Sequence, residues 1–217
     1  MKRVYIVVEG QTEQEFVNSV ISPYLQEFGI LSVTPVLVRT SRTGRGGMVS
    51  YLHLANTIKP LLISEKSDYI VTTFIDFFRL PHDMPHYEDS MKKADKIEQI
   101  RSLEVAINEA IDDRRFFSYI QLHEFEALLF SSNKGFEYYF SEELAAKTAS
   151  IISSYDNPED INTSPEGAPS KRLLAIKSDY NKVLEGNLIA LEIGIKSILE
   201  KCPRFAEWIK TIIEKSE

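Results

Sequence analysis

The chain is short of several things, and each shortage narrows what it can be. It has one cysteine, Cys202, in 217 residues, so no intramolecular disulfide framework holds it together. Nine glycines and nine prolines are too few for a fibrous or low-complexity protein. Long apolar runs are missing. The N-terminal run Val4-Tyr5-Ile6-Val7-Val8 is far shorter than a signal h-region or a membrane span, and the expectation is a soluble, cytoplasmic protein. There is no excess of basic residues either. Lys and Arg number 25 against 32 Asp and Glu, for a net charge of -7. That balance excludes a globally basic nucleic-acid coat, although a local basic patch remains open. No internal repeat is visible.

What is present is ordinary globular material, 43% hydrophobic and 26% charged, enough for one domain or one domain with a modest appendage. The β-branched and aromatic run at 4–8 suits a central strand buried on both faces. It is followed by Glu9-Gly10-Gln11-Thr12-Glu13, with Thr12 as an N-cap, and then by Phe16, Val17, Val20, Ile21, Tyr24 and Leu25 at helical spacing. Further strands are predicted at 33–38, 68–76 and 116–122, and helices at about 49–63 and 92–112. The segment 77–90, with Pro81 and Pro85, should be irregular, as should the turn-rich stretch 156–169. Helices are predicted again at 170–180, 188–200 and 203–215. Strands alternating with helices indicate an α/β fold with a mostly parallel sheet of about four strands flanked by helices. The division expected is a core at 1–132 and a helical C-terminal extension at 133–217, packed on the core.

In parallel α/β sheets, sites form at the carboxyl ends of the strands. Three predicted strands end on candidate ligands: Glu9 after the first, Asp76 after the third, and His123 with Glu124 and Glu126 after the fourth. Clustered carboxylates repel one another and resist burial unless a cation joins them, and hard oxygen donors favour magnesium or manganese over zinc. Such an ion could activate water for phosphoryl chemistry, with Glu9 as ligand or general base. The plainer reading is that each acid is a solvated turn residue, and that Glu9 favours the positive end of the following helix.

The loop 40–47 carries Arg42 and Arg45 among glycines and hydroxyl residues, with Arg39 just before it. Arginine forks suit phosphate oxygens, but the GxxxxGK[ST] order of a P-loop is absent. Solvated surface arginines are the alternative. Lys171 follows Pro169 and Ser170, where an N-capped helix start with surface cations is the simpler account. His82 and His86 read as solvated loop residues, Cys202 as a packed thiol, and Phe205 and Trp208 as core.

Several segments together resemble known families. Val8-Glu9-Gly10-Gln11-Thr12-Glu13 resembles the motif that opens TOPRIM-like domains of bacterial defence nucleases. Ile75-Asp76-Phe77-Phe78-Arg79-Leu80-Pro81, the run from Gln121 through His123-Glu124-Phe125-Glu126 to Phe130, Ala168-Pro169-Ser170-Lys171-Arg172-Leu173 and Cys202-Pro203-Arg204-Phe205-Ala206-Glu207-Trp208 resemble the bacterial family called domain of unknown function 4276. This second resemblance extends over nearly the whole chain.

It implies a TOPRIM-like core related to nucleases of the overcoming-lysogenization-defect type, dependence on Mg2+ or Mn2+, and phosphodiester chemistry on nucleic acid. It also implies an AAA/ABC-type ATPase partner in phage defence. Glu9 and Asp76 map to the family's acid/base and ligand positions. The usual Asp-x-Asp is broken, because Phe78 stands at the second position, so either Glu124, Glu126 or Asp83 substitutes as a ligand or metal binding is weak. If the 122–129 segment is helical, His123 and Glu126 share a face while Leu122, Phe125 and Leu129 pack inward.

The sequence-based expectation is a metal-dependent nuclease. Glu9, Asp76 and Glu126 would be catalytic, and Glu9, Asp76, Glu124 and Glu126 would hold metal. Arg39, Arg42, Arg45, His123 and Lys171 would contact phosphate. The alternatives are a non-catalytic nucleotide- or nucleic-acid-binding subunit that regulates an ATPase, and a hydrolase of small phosphorylated molecules.

Overall fold

The computed structural model describes residues 2–40, 47–63, 68–78, 80–161 and 167–217. Strand β1 (Arg3–Val8) lies between β2 (Ser32–Leu37) and β3 (Tyr69–Asp76), with two short pieces, β4 (Phe116–Phe117) and β5 (Ile120–Gln121), on the far side of β3. Every pair is parallel, as expected for strands joined by helical crossovers. The predicted fourth strand is therefore real but interrupted. At the break the Thr73 hydroxyl donates to the Tyr119 carbonyl and accepts from the Tyr119 amide, both at 2.8 Å, so a side chain replaces the missing ladder bonds.

Strand alternation sorts the core into two clusters, one on each face of the sheet. Val4, Ile6 and Val8 of β1, with Ile70 and Phe74 of β3, face a helical rod made of α1 (Gln11–Phe16), a π-helical turn (Val17–Ile21) and α2 (Ser22–Gln26). Val7, Val71 and Ile75 face α3 (Tyr51–Leu61) and α5 (Lys96–Ile111). Phe74 is fully buried, with its ring centroid 5.4 Å from Trp208, 6.0 Å from Phe16 and 6.2 Å from Phe205. Phe205 and Trp208 are core, as the sequence suggested, and Cys202 is a buried thiol.

Residues 133–217 join the first cluster. Phe136 of α7 (Lys134–Tyr139), Leu173 of α9 (Pro169–Ile176), Ile189 of α10 (Leu184–Ile193), Ile198 of α11 (Ile195–Lys201) and Ile212 of α12 (Pro203–Ser216) pack into the same core as β1. Between α7 and α9 lies α8 (Glu142–Ile152), with Ser141 accepting from the Leu144 amide at its start.

Several boundaries differ from the sequence-based expectation. The predicted helix 188–200 is two helices, because Gly194 takes φ 79° between α10 and α11, a left-handed backbone that suits glycine. The predicted helix 170–180 ends at Ile176. In the segment between Phe77 and Ser90, the short α4 (Tyr87–Met91) follows the two prolines. Asp95 caps α5 by accepting from the Ile97 and Glu98 amides, which moves the helix start from the expected 92. Thr12 does not cap α1. The N-cap residue is Gly10, in extended backbone, with no side-chain cap bond.

Candidate catalytic site at the carboxyl ends of the strands

Because β1 and β3 run parallel with Val8 opposite Phe74, the residues that follow them emerge at the same edge. The Asp76 and Met48 backbone amides hydrogen-bond to Glu9, which ties its carboxylate to the edge of β3. Helix α1 starts two residues after Glu9 and turns Glu13 back over the strand end, where it is 4% exposed. From the other side, α6 (Glu126–Leu129) brings in Glu126, which is fully buried.

Four carboxylates thus gather around one ammonium group. Lys182 Nζ lies 3.2 Å from Glu126 Oε2 and 3.8 Å from Glu13 Oε1. The charge of Lys182 also acts on Asp76, whose Oδ1, like Glu126 Oε1, is buried without a hydrogen-bond partner among the described residues. Burial is the largest force on Glu9, Asp76 and Glu126 and pushes all three upward. Glu9 rises to about 7, with the neighbouring charge of Glu13 adding to the desolvation. Asp76 is held well above the usual carboxylate range by burial and then by Glu13, Glu9 and Glu126, against the opposing pull of Lys182. Glu126 is raised by burial, less the pull of Lys182. Burial pulls the Lys182 ammonium down, but the carboxylates of Asp76, Glu126 and Glu13 together outweigh it, so Lys182 stays charged.

Tyr180 belongs to the same neighbourhood. Among the described residues its hydroxyl is buried without a partner, and burial, then the charge of Glu126, pushes its pKa further up. A Cβ on Gly186 would come within 2.7 Å of that hydroxyl, so only glycine at 186 admits the ring where it stands.

The donor set fits a hard divalent cation in kind. It is all carboxylate oxygen, and at least two buried oxygens have no partner. Its present arrangement is closed on Lys182. Among the described residues, no three His, Cys, Asp or Glu groups are placed to hold one ion together.

The structure brings Glu9, Asp76 and Glu126 together and leaves the other expected residues elsewhere. Glu124 is buried with Oε2 accepting from the Ser170 amide at 3.1 Å, at the start of α9. His123 is not helical, with φ 70°, so it shares no helix face with Glu126. It is 3% exposed, and burial followed by the charge of Lys96 lowers its imidazole to about 4, which leaves it neutral at physiological pH. Leu122, Phe125 and Leu129 do pack inward. Lys171 is exposed on α9. Arg39 is exposed, with its backbone amide donating to Thr57 Oγ1 at 2.9 Å, while Arg42 and Arg45 lie outside the described residues.

Asp83 accepts from Ser50 Oγ at 2.6 Å and from the Tyr51 amide at 2.8 Å, which commits it to the start of α3. His82 stacks on Tyr87 at 4.8 Å, and His86 sits in a left-handed turn before α4. Sequence reasoning missed Glu13, Tyr180 and Lys182. Glu13 was visible as the last residue of the quoted motif, one helical turn beyond Glu9. No local signal marks Tyr180 or Lys182, which reach the site only through the packing of the C-terminal helices.

Among the described residues no helix is long and apolar enough to cross a membrane. No curated protein and no solved structure matches the chain. The family described as domain of unknown function (DUF4276) matches residues 8–213, and the chain belongs to that family.

Proposed function

We propose that the chain is a phosphodiester hydrolase dependent on Mg2+ or Mn2+ that acts on DNA or RNA. The observation that carries this reading is the group of desolvated carboxylates at the carboxyl edge of a parallel sheet, with buried oxygens left without partners. Unpaired buried charge is costly, and folds keep it where it serves binding or catalysis. Glu9, Asp76 and Glu126 would hold the ion, which when bound would polarise a phosphoryl oxygen and activate water. Where Asp76 and Glu126 hold the ion without it, Glu9 is placed to take a proton from the attacking water instead. Lys182 balances the cluster and offers a cation beside the developing phosphoryl charge. The resemblance to TOPRIM-like defence nucleases supports the same chemistry, and with it a partner ATPase.

The test is digestion of plasmid, linear, single-stranded and RNA substrates with added magnesium or manganese, with and without a cognate ATPase. Wild type should cut, and the Glu9→Ala, Asp76→Ala double variant should not. Equal inertness of the two with the partner present would sink the proposal.

A second reading is favoured by two specific observations. Phe78 stands where the motif has its second aspartate, and Lys182 already fills the role of counter-ion. A subunit of this kind would bind nucleotide or nucleic acid, or regulate an ATPase, without cutting. Calorimetry with magnesium separates the readings, because the hydrolase must bind the ion through Glu9 and Asp76 and the binding subunit need not.

A further inference from the structure

The opposite edge of the sheet, where β1 and β3 begin, holds a concavity of about 310 Å3 lined by Lys2, Tyr69, Ile70, Arg114, Arg115 and Lys215. Four of these six residues are cations, in a chain whose net charge is -7.

Arg115 has a structural role. Its guanidinium binds the Asp113 carboxylate at 2.9 and 2.6 Å, the Tyr69 hydroxyl at 2.6 Å and the Leu62 carbonyl at 2.7 Å. The other three cations are not neutralised in this way. Among the described residues Lys2, Arg114 and Lys215 enter no ion pair. Lys2 Nζ donates to the Lys215 carbonyl, and Lys215 Nζ lies 5.5 Å from the Phe117 ring centroid.

A helix C-terminus attracts cations, and this accounts for Lys215 in the last turn of α12. It accounts as well for Lys2, whose Nζ donates to the Lys215 carbonyl, but not for Arg114 just before β4. Three cations from three separate parts of the chain, converging on one hollow, repel one another unless an anion lies between them. Arginine's planar fork and two lysine point charges suit the oxygens of a phosphate group.

We propose that this hollow binds a phosphate-bearing ligand through Lys2, Arg114 and Lys215, with Arg115 fixing its wall. The phosphate belongs either to a free phosphorylated molecule or to a nucleic-acid backbone. The site is separate from the acidic edge: Tyr69 and Asp76 stand at opposite ends of β3, about 23 Å apart at the usual rise of a strand. The proposal does not rest on the hydrolase reading.

The experiment is calorimetry in EDTA at low salt with two probes, inorganic pyrophosphate and a short oligothymidylate. The proteins are wild type, the Arg114→Ala, Lys215→Ala variant, and a Lys147→Ala, Lys210→Ala control that removes the same charge from exposed positions elsewhere. Wild type and control should bind, and the first variant should lose about tenfold or more in affinity. Oligothymidylate displacing pyrophosphate identifies the backbone as the source of the phosphate, and binding of pyrophosphate alone identifies a free phosphorylated ligand. The proposal is overturned if neither probe binds wild type, if the first variant binds as wild type does, or if the control loses as much affinity as the variant. Asp76→Ala, which alters only the far edge, should leave pyrophosphate binding unchanged. A failure of the hydrolase reading would therefore not be mistaken for a failure of this one.

Discussion

The two edges of the sheet carry opposite charge and treat it in opposite ways. At the carboxyl edge, Glu13, Asp76 and Glu126 are drawn into the protein around one ammonium group, and their oxygens are left partly unsatisfied. At the amino edge, the buried part of the charge is satisfied in full by the bonds of Arg115, and Arg114 stays in water. Desolvation makes the difference. Burial raises the acids of the carboxyl edge, whereas water screens exposed charge at the amino edge. The acidic edge therefore has reactive potential and a cost in stability, and the basic edge has only a field.

The largest expected break in this comparison is Lys182→Met, which keeps the apolar stem and removes the charge at the centre of the acidic edge. A buried carboxylate group stripped of its cation should cost about 3 kcal/mol, at the low end for broken buried pairs because the Lys182 side chain is 38% exposed. Urea unfolding at pH 8 measures it. Adding Asp76→Asn should recover part of the loss, since one repelling charge goes with it. A Lys182→Met protein as stable as wild type would mean that the carboxylates are already protonated and the ion pair is nominal.

Next in size is the response to metal. If the acidic edge takes a divalent ion, magnesium at about nine times its dissociation constant should add about 1.4 kcal/mol to the stability of wild type. Asp76→Asn should abolish that gain. Equal stabilisation of the two proteins would place the ion elsewhere.

The pH dependence follows from Glu9. Its folded value of about 7 stands above the ordinary 4.5, so the folded state holds a proton that the unfolded chain has already released. Stability is then greatest on the acid side and is lost as pH rises through 7. His123 acts in the opposite direction, since its lowered value costs stability as pH falls from 6.5 toward 4. Between pH 6.5 and 8.5 Glu9 should contribute a loss of about 1 kcal/mol, and Asp76 and Glu126, raised by burial, act in the same direction. Glu9→Gln should make the curve shallower there, and a profile that stays unchanged would remove Glu9 from the buried cluster.

The contrast between the edges also explains what could be read from the sequence. The β-branched runs of β1 and β3 and the acids that end them were legible, because strand and terminating residue are neighbours in the chain. The parallel α/β class followed from the alternation of elements. Lys182 was not legible. It stands in no motif and becomes a partner of Glu126 only when α10 docks on α6 and α1. The environment of His123 was misjudged for a related reason: a single residue at positive φ breaks the helical periodicity on which its expected face depended. The basic hollow was hidden likewise, since Lys2, Arg114 and Lys215 come from three distant segments that meet only at the edge of the sheet.

The smallest expected effect tests the solvated side of the comparison. Arg114 is exposed, while its neighbour Arg115 is anchored to Asp113, Tyr69 and Leu62. Arg114→Ala should therefore change stability by less than about 0.5 kcal/mol, as surface substitutions generally do. Arg115→Ala should cost more, because it strands the Asp113 carboxylate and the Leu62 carbonyl. Thermal melts of the two variants in parallel make the comparison. If Arg114→Ala were instead stabilising, and the gain vanished at high salt, then the cations at this edge strain one another in the free protein. That is the condition under which an arriving phosphate gains most from binding there.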